Sequence, residues 1–323
     1  MKAITASKYG SPDVLKLSDL PDPVPAENEI LVRIYAAGIT TGDSRVRSLN
    51  VPFGFHFITR LMFGFTKPRR PVLGMDFAGQ VESVGEKITQ FSEGDRVFGA
   101  NDSFGAYATH LTIAGDKAIS LMPASMSYNE AAAIPFGATT SLYYLRNLGK
   151  IKSGDNILIN GASGSLGTYA VQLGKYFGAN VTGVCSTKNI ELVKSLGADQ
   201  VIDYTKEDLT KRDDTYDIIF DTVGKLTFSQ SKNRLKEHGR FLMAVAGVPQ
   251  YARVLWTTIA GRKKAIAGVA IVKKEDLEFI GTLVEDKLIK PVIGREYKMS
   301  ETAQAHYYVD TGHKRGNVII TMN

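Results

Sequence analysis

The stretch NILINGASGSLGTYAVQLGKYFG, residues 156–178, decides the fold. It opens on a short apolar run of strand character, and its second half sets apolar side chains at helical spacing before stopping at Gly178. Between them Ala162, Ser163, Gly164, Ser165, Leu166 and Gly167 read as G-x-G-x-x-G with alanine in the first place. Gly164 lets the backbone approach a pyrophosphate, and Gly167 lets the helix pack close to the strand. The helix N-terminus then offers free N–H groups and its positive dipole end to phosphates. The spacing alone is weak evidence, because glycine-rich turns are common. Its weight comes from opening the first strand–helix turn of a series.

That series continues with NVTGVC as a strand, NIELVKSLG as a helix, and QVIDY, YDIIFDTV and GRFLMAVAG as strands, with TFSQSKNRLKEH expected as a helix between the last two. Short apolar runs alternating with amphipathic helices imply βαβ units and a parallel sheet covered on both faces. Residues 1 to about 120 read differently, as turn-rich strands such as EILVRIYAAGI, GQVESVG and GDRVFGA. Mixed elements return after Gly261 and end in GNVIITM. The expected fold class is therefore α/β, a doubly wound Rossmann sheet inserted into a discontinuous, β-rich domain.

The dinucleotide is read from the end of the second strand of the series. An NAD site places an acid about 20 positions beyond the glycine loop, to bond the ribose 2′-hydroxyl. Here that point holds Ser186, Thr187 and Lys188 and no acid. Two hydroxyls and a cation suit a 2′-phosphate, and Tyr204 adds a hydroxyl after the following strand, so NADPH is expected. The plain alternative is that Lys188 begins a solvated helix.

The bulk numbers bound the rest. The chain has 323 residues, 44% hydrophobic and 22% charged, enough for two domains with cores of their own. Its net charge of +6 is dispersed, with the densest clusters at residues 67–70 and 262–264. A solvated surface explains these plainly, and a phosphate-bearing ligand explains them more sharply. No interleaving of basic and stacking aromatic residues is visible, so no nucleic-acid partner is expected. Cys185 is the single cysteine, which excludes an intrachain disulfide and a cysteine-based zinc cage. The start MKAITASKYG has no apolar core of a secretory signal, so a cytoplasmic setting is expected. The aromatic run of residues 51–65, VPFGFHFITRLMFGF, is too short to span a bilayer and is broken by His56 and Arg60.

KSGDNILINGASGSLG, GADQVIDYTKED and GHKRGNVIIT together resemble the medium-chain dehydrogenase/reductase superfamily, in order along essentially the whole chain. Within it the chain is most similar to the zinc-free quinone oxidoreductases, the zeta-crystallin-like and reticulon-interacting-protein-like enzymes. The resemblance implies a GroES-like catalytic domain over residues 1–124, a Rossmann domain over 125–264, a return to the catalytic domain over 265–323, and a substrate cleft between the domains. Zinc alcohol dehydrogenases of the superfamily carry G-H-E, where this chain has Gly74-Met75-Asp76. Their two cysteine ligands fall at Thr40 and Phe136. No metal is expected.

Without a Lewis acid, releasing hydride from an alcohol is difficult. Passing hydride from NADPH to a quinone or to the β-carbon of an enone is easier, because charge spreads onto a conjugated oxygen. That reaction needs positioning, exclusion of water and donors at the oxygen. The resemblance points to the N-x-x-D segment, here Thr40 to Asp43, with Arg45 where the family has tyrosine. Thr40 would bond substrate or nicotinamide, and Arg45 would stabilise a developing enolate. For Asp43 a helix-capping role competes, for Arg45 a surface ion pair, and for Tyr107 simple packing. Asp76 reads as a remnant of the metal motif, with Arg45 as the cation to look for beside it. The nicotinamide end is expected near residues 138–140, including Thr140, and near Ala246 and Gly247. His313 and Lys314 match the family's terminal G-H-x-x-G-K, with Asn317 in place of its lysine.

Residues 51–65 lie where the family's loop covers the substrate mouth, and a bulky apolar substrate would suit them. A subunit or membrane-surface contact is the other reading, with Lys67, Arg69 and Arg70 facing anionic lipid. The strand near residues 263–271 lies where relatives pair into homodimers. Two other functions stay open, a non-catalytic NADPH-binding structural or regulatory protein and an alcohol dehydrogenase-type carbonyl reductase.

Overall fold

The computed structural model describes residues 1–322, apart from the side chains of Thr210 and Ala260. Contacts divide the chain into two units. One comprises Met1–Val51, His56–Thr139 and Val272–Asn323, the other Pro52–Phe55 and Thr140–Ile271. Texture alone puts residues 127–139 with the cofactor domain. In the structure they join the first unit, because the short helix Tyr128–Ala132 packs on the strands Glu29–Ile39 and Asp76–Val84.

The first unit is built on the long strand Glu29–Ile39. It pairs antiparallel with Asp76–Val84 along one edge, and with His110–Ala114 and then Asn317–Thr321 along the other. Arg96–Ala100 and Ile119–Leu121 extend one side of the sheet, and Ile293–Lys298 the other. Alternation makes the core: Ile30, Val32 and Ile34 face inward with Phe77, Val97, Val318 and Ile320. Each such side chain contributes roughly 2 kcal/mol on burial. Two helices follow the central strand, α1 (Thr41–Ser48) and α2 (His56–Phe63).

The second unit holds six strands, all parallel. Across the sheet they run Gln200–Asp203, Asn180–Cys185, Asn156–Asn160, Tyr216–Asp221, Leu235–Met243, Lys264–Ala267. Counted along the chain, this order is third, second, first, fourth, fifth, sixth, the doubly wound arrangement expected from the alternation. The order reverses between Asn156–Asn160 and Tyr216–Asp221, the switch point where such sheets bind ligands beyond their C-terminal strand ends. One expected helix is corrected. TFSQSKNRLKEH yields only the helical turn Phe228–Ser231 and the 3-10 turn Lys232–Arg234, after which Leu235 already begins a strand. That strand breaks register against its neighbour between Tyr216 and Ile218 and carries His238 at positive φ, so the KEH residues bulge outward rather than coil.

Candidate active site

The glycine loop links the strand Asn156–Asn160 to the helix Ser165–Tyr176. Its left-handed residue is Gly161, at φ +82°, one position before the motif read from spacing. A side chain there would be strained and would strike Thr222 and Val223. Gly167 serves close packing, since a Cβ on it would lie 2.1 Å from the Gly161 carbonyl oxygen. Gly164 is different. A Cβ there would meet only that same oxygen, at 3.5 Å, so its bare side faces open space. It caps the helix without any side-chain bond, at the helix end whose positive dipole favours an anion. The Ser141 hydroxyl braces the loop by donating to the Leu166 carbonyl at 2.8 Å.

The second strand ends at Cys185, and the structure brings its next residues to the loop through one amide. Asn189, buried, donates to Ser163 Oγ at 3.0 Å and to Ser186 Oγ at 3.2 Å. Spacing alone does not single out Asn189, because its role depends on two segments meeting. Lys188 and Tyr204 are exposed beside it. Thr187 is committed elsewhere: its hydroxyl donates to Asp203, which also accepts from Thr205. Those hydrogen bonds hold Asp203 below the usual carboxylate range. Of the two hydroxyls expected to donate to a 2′-phosphate, Ser186 keeps its proton available and Thr187 does not.

Thr140, on the helix Pro135–Leu142, has a buried hydroxyl without a hydrogen-bond partner. Gly247 caps the helix Val248–Ala260, and its N–H donates to the Gln250 side chain at 3.0 Å. A dinucleotide fits this set: an open glycine at an uncapped helix start for the diphosphate, Ser186 with Lys188 for the ribose end, and an orphaned hydroxyl at Thr140.

The first unit contributes a buried charged cluster. Thr40 caps α1 and Asp43 completes the capping box. The Thr40 N–H and hydroxyl donate to Asp43 Oδ2 at 2.8 and 2.7 Å, and the Asp43 N–H donates to Thr40 Oγ1 at 3.1 Å. The capping alternative for Asp43 is thus present, and it occupies the Thr40 proton as well. Asp76 opens its strand inside the protein. One oxygen accepts the Phe136 N–H at 3.1 Å, while the other has no partner. Gly38 makes the room, since a Cβ there would sit 3.1 Å from the Asp76 Cβ. Burial, reinforced by repulsion from Asp43, raises the Asp76 pKa well above the usual carboxylate value. Burial raises Asp43 too, against the opposing pull of Thr40, Tyr107 and Lys314.

Arg45 is not the partner of Asp76. Among the described residues no carboxylate pairs with it, and burial alone lowers its pKa. The cation that both acids feel is Lys314, half-buried in the terminal segment, although among the described residues no ion pair joins it to either. Burial pushes its ammonium down to about 8, against the attraction of Asp43 and Asp76. Tyr107 packs its ring on Gly74, where a Cβ would lie 2.2 Å from the ring, and its hydroxyl makes no hydrogen bond of ordinary geometry. Burial and the charge of Asp43 raise its pKa well above that of free phenol. His306 meets the same ring edge to face at 5.7 Å, and neither of its nitrogens has a partner. Burial and Arg47 drive its pKa to about 3, so it stays neutral. Arg47 is fully buried and pairs with Asp310 at 2.5 Å.

A zinc ion does not fit here. The positions of the superfamily's ligands hold Thr40, Met75 and Phe136. The Thr40 hydroxyl is bonded to Asp43, and Phe136 offers only a backbone N–H.

Two family models match the chain, "Alcohol dehydrogenase GroES-like domain" over residues 26–127 and "Zinc-binding dehydrogenase" over residues 196–320. The quinone oxidoreductase of Sus scrofa is 31% identical over 98% of this chain and 95% of its own length. The 2-methylene-furan-3-one reductase of Solanum lycopersicum is 32% identical over 99% of this chain and 79% of its own. The crystal structure of Escherichia coli quinone oxidoreductase complexed with NADPH superposes with a TM-score of 0.85 at 27% identity, covering 100% of both chains. An open diphosphate loop, the doubly wound sheet and these matches agree: the chain belongs to the medium-chain dehydrogenase/reductase superfamily, in its quinone oxidoreductase branch.

Proposed function

We propose that the protein is a zinc-independent, NADPH-dependent oxidoreductase that passes hydride to a quinone or an α,β-unsaturated carbonyl. The observation that carries this reading is the bare face of Gly164 at an uncapped helix start, tied through Asn189 to Ser186. The relatives add the reaction class, a quinone reductase and a furanone reductase acting on conjugated carbonyls by name. Bound NADPH supplies the hydride. Gly164 and the helix N–H groups hold the diphosphate, Ser186 and Lys188 the 2′-phosphate, and Thr140 the nicotinamide end.

Charge that builds on the substrate oxygen needs a donor. Thr40 is occupied by Asp43, so Arg45, half-buried and without a carboxylate partner, is the group assigned to that oxygen. Two further points belong to this reading. The edge strand Lys264–Ala267, followed by exposed Val269 and Ile271, suits pairing with a second copy. The lone cysteine, buried at a strand end, suits a reducing cytoplasmic compartment.

The test follows loss of nicotinamide absorbance with a panel of quinones and enones, using NADPH and NADH in parallel. Turnover with NADPH on at least one panel member is expected, with Arg45→Ala lowering kcat and leaving NADPH affinity unchanged. Tight NADPH binding with no turnover on any member would overturn the enzymatic reading.

A further inference from the structure

Helix α2 is inverted relative to an ordinary surface helix. Thr59, 7% exposed, and Phe63 face inward, where the Phe63 ring meets Phe104 at 5.5 Å. The outward face carries Phe57 at 67%, Ile58 at 48%, Leu61 at 51% and Met62 at 61% exposure, and Phe65 follows just beyond the helix. Positions 57, 58, 61 and 62 share one helical face. The segment is held in place: the Tyr9 hydroxyl donates to the Gly64 carbonyl at 2.8 Å, the Arg69 N–H to Phe63 at 2.7 Å, and Arg60 to the Phe65 carbonyl. A fixed, exposed apolar stripe of this kind marks an interaction surface.

Its surroundings say what covers it. From Ser44 to Met75 the chain contains no aspartate or glutamate. Arg60, Lys67, Arg69 and Arg70 are all exposed in that acid-free run. An exposed apolar ridge in a segment that carries cations and no acid matches an anionic bilayer surface, where the ridge enters the acyl boundary and the cations meet lipid phosphates. We infer that α2 and the following loop dock the protein onto anionic membranes as a peripheral, non-spanning contact. No described helix is long and apolar enough to cross a membrane. The inference stands on this face alone and does not depend on the quinone-reductase reading.

The test is co-sedimentation of the full chain with vesicles of phosphatidylcholine alone and of phosphatidylcholine mixed with phosphatidylglycerol. Binding to the mixed vesicles, weakened by salt, and little binding to the neutral ones is expected. Lys67→Gln with Arg69→Gln and Arg70→Gln should weaken binding on the order of a hundredfold, at roughly fivefold per cation. Leu61→Ser with Met62→Ser should abolish binding even at low salt. Circular dichroism and thermal midpoints matching the parent chain exclude unfolding as the cause. Equal binding to both vesicle types, no binding by the parent chain, or variants that bind like the parent would overturn the inference. So would a smaller oligomer for the Leu61→Ser, Met62→Ser chain without vesicle binding by the parent, since a second copy would then cover the face.

Discussion

The two units solve the same problem, placing polar atoms inside a fold, in opposite ways. In the second unit they are backbone groups at a strand end, left open by the bare Gly164, while Gly161 and Gly167 allow the tight turn and close packing around it. In the first they are charged side chains, Asp43, Asp76 and Arg47, drawn inside with Lys314 half-buried, and only partly matched to one another. An open backbone loop costs little in the empty protein and gains its partner from the ligand. Buried charges cost stability until each is matched. The second unit buries charged groups too, Asp221 and Arg234, but the first gathers two acids, Asp43 and Asp76, that repel each other.

The sharpest way to break this comparison is to remove the cation. Lys314→Met leaves Asp43 and Asp76 facing each other without compensation. A loss of stability is expected in urea unfolding, and adding Asp76→Asn should restore much of it. If Lys314→Met unfolds like the parent, the cluster is not electrostatically coupled. The next effect is set by pH. Folded His306 takes its proton only near pH 3, whereas the unfolded chain takes it near 6.5. Between those values the unfolded state binds more protons, so stability falls as pH drops through this window. Asp76, with its raised pKa, works in the opposite sense by gaining a proton in the folded state as pH falls. His306→Phe should therefore flatten the acid side of the stability curve, by up to roughly 4 kcal/mol at pH 3. An unchanged pH profile would show that His306 is not buried neutral. The smallest effect lies in the other unit: Lys188→Ala should cost about tenfold in NADPH affinity, near 1.4 kcal/mol, and leave NADH unaffected. Equal loss for both cofactors would remove the 2′-phosphate assignment.

The same contrast explains what could be read from the chain. The second unit is legible because its signals are local. Strand, glycine loop and helix follow one another within residues 156–178, and parallel order follows from the repeated alternation. Its failures are local too. The left-handed glycine, Gly161, lies one place outside the motif that begins at Ala162, and Leu235 leaves the helical pattern early because a bulged strand claims it. The charged cluster was only partly legible. Residue types at Thr40, Met75 and Phe136 speak against zinc without any coordinates. The cation that acts on Asp76 is not legible in the sequence, because Lys314 arrives from the far end of the chain, and no spacing rule links positions 43, 76, 107, 306 and 314. Tyr107 reads as packing and is that, with a stranded hydroxyl besides.

One strand has a consequence for how the molecule is made. Asn317–Thr321 lies inside the first unit's sheet, between Glu29–Ile39 and Ile293–Lys298, and pairs with residues laid down some 280 positions earlier. During synthesis the second unit has all its strands once Ala267 has emerged, and contiguous domains fold as units on the growing chain. The first unit must wait, its early strands and both buried acids held open until Thr321 exists to close the sheet. The nursery of this protein is thus its second unit, which folds while the first is still an unpaired edge in need of shelter.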